Sequence, residues 1–98
     1  MYLDFSNNTT ISGNTACNNT SEGIYLGNSN NCVISENIAC NNIFEGIFLS
    51  TNCDNNVISG NTVNSNEEIG ISLYESEYNI ISGNTANNNL NYLSLIHI

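Results

Sequence analysis

Glu22 and Glu45 stand 23 residues apart, and each comes immediately before a Gly-Ile-x-Leu phrase. Glu67 and Glu68 lie just ahead of a third copy. Two carboxylates held about 5–9 Å apart can act as acid and base in glycoside hydrolysis. One of them must stay protonated near neutral pH, through burial or a close like charge. Glu22, Glu45 and Glu68 are the candidates for such a role. The plainer expectation is that they are solvated turn residues with ordinary pKa values. Glu75 and Glu77, with Asp54, flank a later turn in the same way.

Nine acids meet no Lys or Arg, giving a net charge of −9. That excludes nucleic acid, whose binding needs cations to displace counterions from phosphate, and it disfavours an anionic membrane surface. It also removes the cationic group that a lyase acting on uronic acids would use. Calcium could bridge Glu22 and Glu45 through oxygen ligands, but no Gly-Gly-x-Gly-x-Asp loop accompanies them. The four cysteines contain no Cys-x-x-Cys pair, which argues against zinc. Cys17 and Cys40 share the 23-residue spacing, whereas Cys32 and Cys53 do not. His97 is the lone histidine. Tyr25 and Phe48 occupy the same place in "GIYL" and "GIFL", and they are the candidate carbohydrate contacts.

These positions recur because the chain repeats. "ISGNT" stands at 11–15, 58–62 and 81–85, with a variant "ISENI" at 34–38. Ile11, Ile34, Ile58 and Ile81 are spaced 23, 24 and 23 apart, and the Gly-Ile-x-Leu phrase keeps step at 23–26, 46–49 and 70–73. A strict period with its slack in one place marks a repeat architecture. The phrases are short, β-branched and bounded by Asn, Ser and Gly, so they read as strands and turns. No Asn-Gly dipeptide suggests tight hairpins, and no 3.6-residue apolar stripe suggests helix. A leucine-rich repeat has a similar period but a different consensus. Short strands can instead pair with their own copies one coil away, about 4.8 Å distant. The expected fold is therefore all-β: a right-handed, single-stranded parallel β-helix of about four coils of 23–24 residues, three strands each. The hand follows the general crossover rule.

Such a coil makes vertical columns. Ile11–Ile34–Ile58–Ile81, Ile24–Ile47–Ile71 and Leu26–Leu49–Leu73 should point inward. Ala16, Ala39, Val63 and Ala86 fit a narrow part of the coil. Asn fills roughly a quarter of the chain, far above ordinary usage. Asn14, Asn37, Asn61 and Asn84 should form an amide ladder, with Asn19, Asn42, Asn66 and Asn89 as a second. Tyr25 and Phe48 should stack outside. In this geometry Cys17 and Cys40 come within disulfide reach, yet their place beside the inward alanines, near a turn, leads us to expect half-buried free thiols.

The stretch "NNVISGNTVNSNEEIGISLYES" resembles the repeats of the NosD-like family and of the wider carbohydrate-binding and sugar-hydrolase (CASH-type) β-helix group. The likeness covers residues 1 to about 92. It implies the right-handed coil and an extracellular, cell-surface or periplasmic setting, with polysaccharide or cell-envelope glycans as partners. It also implies that copper, or calcium, could belong to the parent protein. No cofactor is expected on these coils. Sequons at Asn7, Asn8, Asn18 and Asn19 suit a secreted chain.

The ends break the pattern. Met1 stands where Ile24 stands, so the chain is expected to begin inside a coil. Residues 1–92 then form the β-helix fragment. Residues 93–98, "LSLIHI", match no repeat phrase and can be encoded as CTG TCT CTT ATA CAC ATC, which resembles a sequencing-adapter end. They are expected to be a non-native tail. No apolar run reaches the length of a membrane span. The functional expectation is a structural, carbohydrate-interaction segment of a larger β-helix protein. One alternative is a piece of a polysaccharide-acting glycoside hydrolase, lyase or epimerase. Another is a periplasmic copper-maturation factor. Carboxylates sharing a groove with aromatics would favour sugar chemistry, and scattered acids would favour scaffold.

Overall fold

A computed structural model describes residues 1–90 and the backbone of Ser94–His97. Strands β1 (Tyr2–Asp4), β2 (Thr10–Ser12) and β3 (Thr15–Cys17) form the first coil. The second holds β4 (Ile24–Gly27), β5 (Val33–Ser35) and β6 (Ile38–Cys40), and the third β7 (Ile47–Leu49), β8 (Val57–Ser59) and β9 (Thr62–Asn64). The fourth holds β10 (Ile71–Tyr74), β11 (Ile80–Ser82) and β12 (Thr85–Asn87), and β13 (Ser94–His97) follows. Every pairing is parallel and joins a strand to its copy in the adjacent coil, so three sheets run along the axis: β1-β4-β7-β10-β13, β2-β5-β8-β11 and β3-β6-β9-β12. This is a parallel β-helix.

The register is the one the period dictates. Ile11 pairs with Ile34, Ile34 with Ile58, Leu26 with Leu49, and Ala39 with Val63. Burial of Ile24, Leu26, Ile34, Ile47, Leu49 and Ile58 is complete, and these columns are the core. The backbone of β13 pairs with β10, Ile71 opposite Ser94 and Leu73 opposite Ile96. Leu93, where the repeat phrase is interrupted, and the side chain of His97 lie outside the described residues.

Between the second and third sheets the chain turns a corner inside the molecule, where backbone groups have no strand partner. Asn37 resolves this. Its Oδ1 accepts the Asn14 backbone N–H at 2.9 Å and Asn14 Nδ2 at 3.1 Å. Its Nδ2 donates to the Ile11 carbonyl at 2.9 Å and to Asn61 Oδ1 at 3.0 Å. Asn61 repeats the pattern toward Asn84 and the Ile34 carbonyl. Asn42 and Asn66 do the same in the second ladder. Only an amide offers donor and acceptor at this reach.

That second ladder explains the glycine of Gly-Ile-x-Leu. A Cβ on Gly46 would lie 2.7 Å from both Asn66 Nδ2 and the Gly70 carbonyl oxygen, and one on Gly23 would lie 2.7 Å from Asn42 Nδ2. Every corner also uses left-handed residues. Phe5–Asn28–Asn52–Glu75, Asn8–Asn31–Asn55–Tyr78, Gly13–Glu36–Gly60–Gly83 and Asn18–Asn41–Ser65–Asn88 all have positive φ. Asn tolerates that conformation better than most side chains. In "ISENI", Glu36 stands at φ 56°, in the column otherwise filled by glycine.

The cysteines correct the expectation of free thiols at Cys17 and Cys40. These two residues pair across β3 and β6 with Cα atoms 4.6 Å apart and form a disulfide between coils. Position 17 of the coil points outward, so both Cβ atoms face the same way at strand spacing, and the inward alanines beside them do not separate the sulfurs. Cys32 and Cys53 are buried and free. Cys32 takes the place of an Asn in a third, unanticipated column with Asn56 and Asn79. Its N–H bonds Asn56 Oδ1 at 2.7 Å, and its Sγ donates to the Ser6 carbonyl at 3.1 Å. Cys53 replaces a serine between Ser29 and Ser76, with Sγ donating to the Leu26 carbonyl at 3.3 Å. Burial pushes its thiol pKa up, which keeps the proton that this bond needs.

Two stability outcomes follow from these contacts. Asn37→Leu removes the partners of the buried Ile11 carbonyl and the Asn14 N–H, and should cost about 1–3 kcal/mol in denaturant unfolding; an unchanged midpoint would contradict the ladder. Replacing both Cys17 and Cys40 by Ser opens a covalent loop of sequence separation 23 and should cost about 3 kcal/mol. Reductant should then destabilise the parent chain but leave the double variant unaffected.

Candidate functional site

The outer face of the first sheet carries the aromatic column. Tyr2 pairs with Tyr25 and Tyr25 with Phe48, and Ser72 follows above. Alternation along each strand sends Ile24 and Leu26 inward and Tyr25 outward. The Tyr2 and Tyr25 rings are parallel, 5° apart in plane, with centroids at 4.5 Å. Tyr25 and Phe48 do not stack as expected. Their planes stand at 79° with centroids 5.7 Å apart, so Phe48 meets Tyr25 edge to face. Tyr25 is thus covered by Tyr2 on one side and Phe48 on the other. Its hydroxyl lies over Gly27, 3.1 Å from where a Cβ there would stand. The Tyr2 phenol pKa is raised by burial first, then by Tyr25 and by the negative charges of Asp4 and Glu22.

The acids stand on the entry to the same sheet. The Gly23 N–H bonds the Glu45 carbonyl and the Gly46 N–H bonds the Ile69 carbonyl, so the column runs Glu22–Glu45–Ile69. Glu68 sits one position earlier in the third coil. It comes close enough, with Glu22, for both charges to act on Glu45. The expectation of an ordinary pKa fails for Glu45. Partial burial pushes its carboxyl above the usual value; a bond from its own backbone opposes this, and the Glu22 and Glu68 carboxylates add to the rise. Glu22 accepts a hydrogen bond from the Ser21 hydroxyl. Tyr2, Tyr25, Glu22, Asn19, Thr20 and Ser21, with Met1, line a cavity of about 260 Å³.

The structure therefore brings Glu22, Glu45 and Glu68 together beside Tyr25 and Phe48. It places Asp54, Glu75 and Glu77 after the sheet instead, where the Glu77 N–H bonds Asp54 Oδ1. Tyr2 belongs to the aromatic column and was not singled out from the sequence, although its 23-residue offset from Tyr25 carried the signal. The strands of the second and third sheets carry no acid.

A stack of three parallel sheets with amide ladders and one decorated face defines a β-solenoid of the parallel β-helix class. A family model described as "Periplasmic copper-binding protein (NosD)" matches residues 1–96. The chain belongs to the NosD family. No curated protein and no solved structure matches it.

The copper in that description can be tested against the donors. Soft copper sites draw on Cys, Met and His. Cys17 and Cys40 are consumed in the disulfide, and Cys32 and Cys53 are buried with their sulfurs bonded to backbone carbonyls. Among the described residues no group of three His, Cys, Asp or Glu converges on a metal position. These residues do not fit a copper centre.

Glu45 generates a pH test. The native state holds its proton more tightly than the unfolded chain does, so unfolding releases it. Its contribution is most favourable below the unfolded pKa, near the ordinary Glu value of about 4.3. It is lost as pH rises through the raised native value. Glu45→Gln should therefore melt higher than the parent at pH 7, and the gap should close toward pH 4. Equal midpoints at both pH values would contradict the placement of these three carboxylates.

Proposed function

We propose that this chain is a scaffold segment of a periplasmic or cell-surface β-helix protein and that the outer face of its first sheet binds a glycan. The observation that carries the reading is the sharing of one face. The Tyr2–Tyr25–Phe48 column and the Glu22–Glu45 column run side by side along the coil axis, and a cavity opens where Tyr2, Tyr25 and Glu22 meet. A sugar presents apolar C–H faces and many hydroxyls. Aromatic edges, phenol hydroxyls and carboxylate acceptors answer both demands. The repeat at coil spacing suits an extended polymer better than a single small molecule. The family description supports an exported location, as does an inter-coil disulfide, since such bonds persist in oxidising compartments.

One observation favours a second reading, a polysaccharide-acting enzyme. The raised Glu45 could donate a proton to a glycosidic oxygen, with the Glu22 and Glu68 carboxylates beside it. Binding without turnover is the preferred reading, because the cavity beside the tyrosines is lined by Glu22 and not by Glu45. A role in copper maturation enters through the family description alone, and no described residue is assigned to it.

A panel of neutral and charged oligosaccharides, followed by calorimetry, tests these readings. Binding without release of reducing ends is expected, with Tyr25→Ala weakening it about tenfold. Reducing ends that appear with the parent chain and vanish with Glu45→Gln would establish the enzyme instead.

A further inference from the structure

We propose that the cavity beside Tyr2 and Tyr25 selects glycans bearing free amino groups, such as de-N-acetylated hexosamine polymers, over neutral or acidic ones. This rests on the glycan-binding reading above and narrows its substrate class. The cavity wall combines two features that an ammonium-bearing sugar uses together. The parallel tyrosine pair supplies aromatic contact surface, and Glu22 supplies a carboxylate on the wall of the same 260 Å³ space. Asn19, Thr20 and Ser21 add polar atoms for sugar hydroxyls.

Charge complementarity decides among glycans. The chain has no Lys or Arg, and its net charge is −9. A polyuronate would meet repulsion along the whole face, and a neutral sugar would gain hydrogen bonds and contact area alone. A protonated amino sugar would gain an ion pair with Glu22 and relieve the crowding of Glu22 and Glu68 around Glu45 in the next coils.

The kind of cation is constrained as well. The carboxylates are near enough to couple, yet no three of them converge within one metal ion's coordination sphere among the described residues. A calcium ion would satisfy one or two at most. Amines carried at intervals along a polymer can meet successive coils separately, Glu22 on one and Glu45 on the next.

The probes are a glucosamine hexamer, its fully N-acetylated form and an oligogalacturonate. Binding is measured by calorimetry at pH 6, where sugar amines are protonated, in low salt and in 0.5 M salt. The glucosamine hexamer should bind at least about tenfold tighter than the N-acetylated form, and high salt should shrink the gap. Glu22→Gln should abolish the preference. Glu77→Gln, which removes the same charge beyond the sheet, should keep it. Equal loss in both variants would reduce the effect to bulk attraction between a polycation and an acidic chain, and would overturn the proposal. Equal or better binding of the N-acetylated hexamer would also overturn it while leaving the glycan-binding reading intact. If none of the three binds, both fall.

Discussion

Every strand among the described residues is three or four residues long, so none can be stable on its own. The constraint on which everything depends is that each must hydrogen-bond to the same strand one coil away. The repeat must keep its length to within one residue, or the pairing slips and the inward columns turn out. The third coil absorbs its extra residue in the return segment between Leu49 and Val57, where no strand is interrupted. Corners are the hard part of such a coil, because a turning backbone loses its strand partners while still buried. The amide ladders meet that need, and no buried side-chain polar atom among the described residues lacks a partner.

Other choices follow from the ladders. Glycine stands at 23, 46 and 70, and at the first two a Cβ would run into the ladder amide of the next residue column. Cysteine enters at 32 and 53 because a thiol is small, tolerates burial and still donates to a carbonyl, as the Asn or Ser in the same column does. Alanine and valine fill the space between the two ladders, where a larger side chain would push the coil open. A chain with so little charge obtains its cohesion from many identical, modest bonds rather than from ion pairs.

The same periodicity shapes the outer face of the first sheet. A residue type that suits one coil is copied at the same place in the next, so single side chains become stripes. Aromatics form one stripe and acids another, on the first sheet and its entry, while the second sheet presents Ser, Thr, Val and Ile and the third Thr, Ile, Asn and the bridged cysteines. The stripes are imperfect. Ile69 replaces the third acid and Ser72 the fourth aromatic. The proposed binding face is therefore concentrated on the first two coils, where the cavity lies.

The sequence by itself determined the coil, the inward columns and two of the ladders, because a period of 23–24 residues and its alternating pattern leave few other ways to pair short strands. It also marked Glu22, Glu45, Tyr25 and Phe48 as neighbours, since equal offsets mean equal places on adjacent coils. Tertiary structure alone decided what depends on side-chain direction and on distances within a coil. Cys17 and Cys40 form a disulfide because both point outward at strand spacing, a matter of orientation that the nearby alanines obscured. The third column is mixed in identity, Cys32 beside Asn56 and Asn79, so only its hydrogen bonds reveal it. Phe48 turns on edge instead of stacking. Glu45 is held above its ordinary pKa because burial and two carboxylates from neighbouring coils meet there, a through-space meeting that linear spacing does not encode.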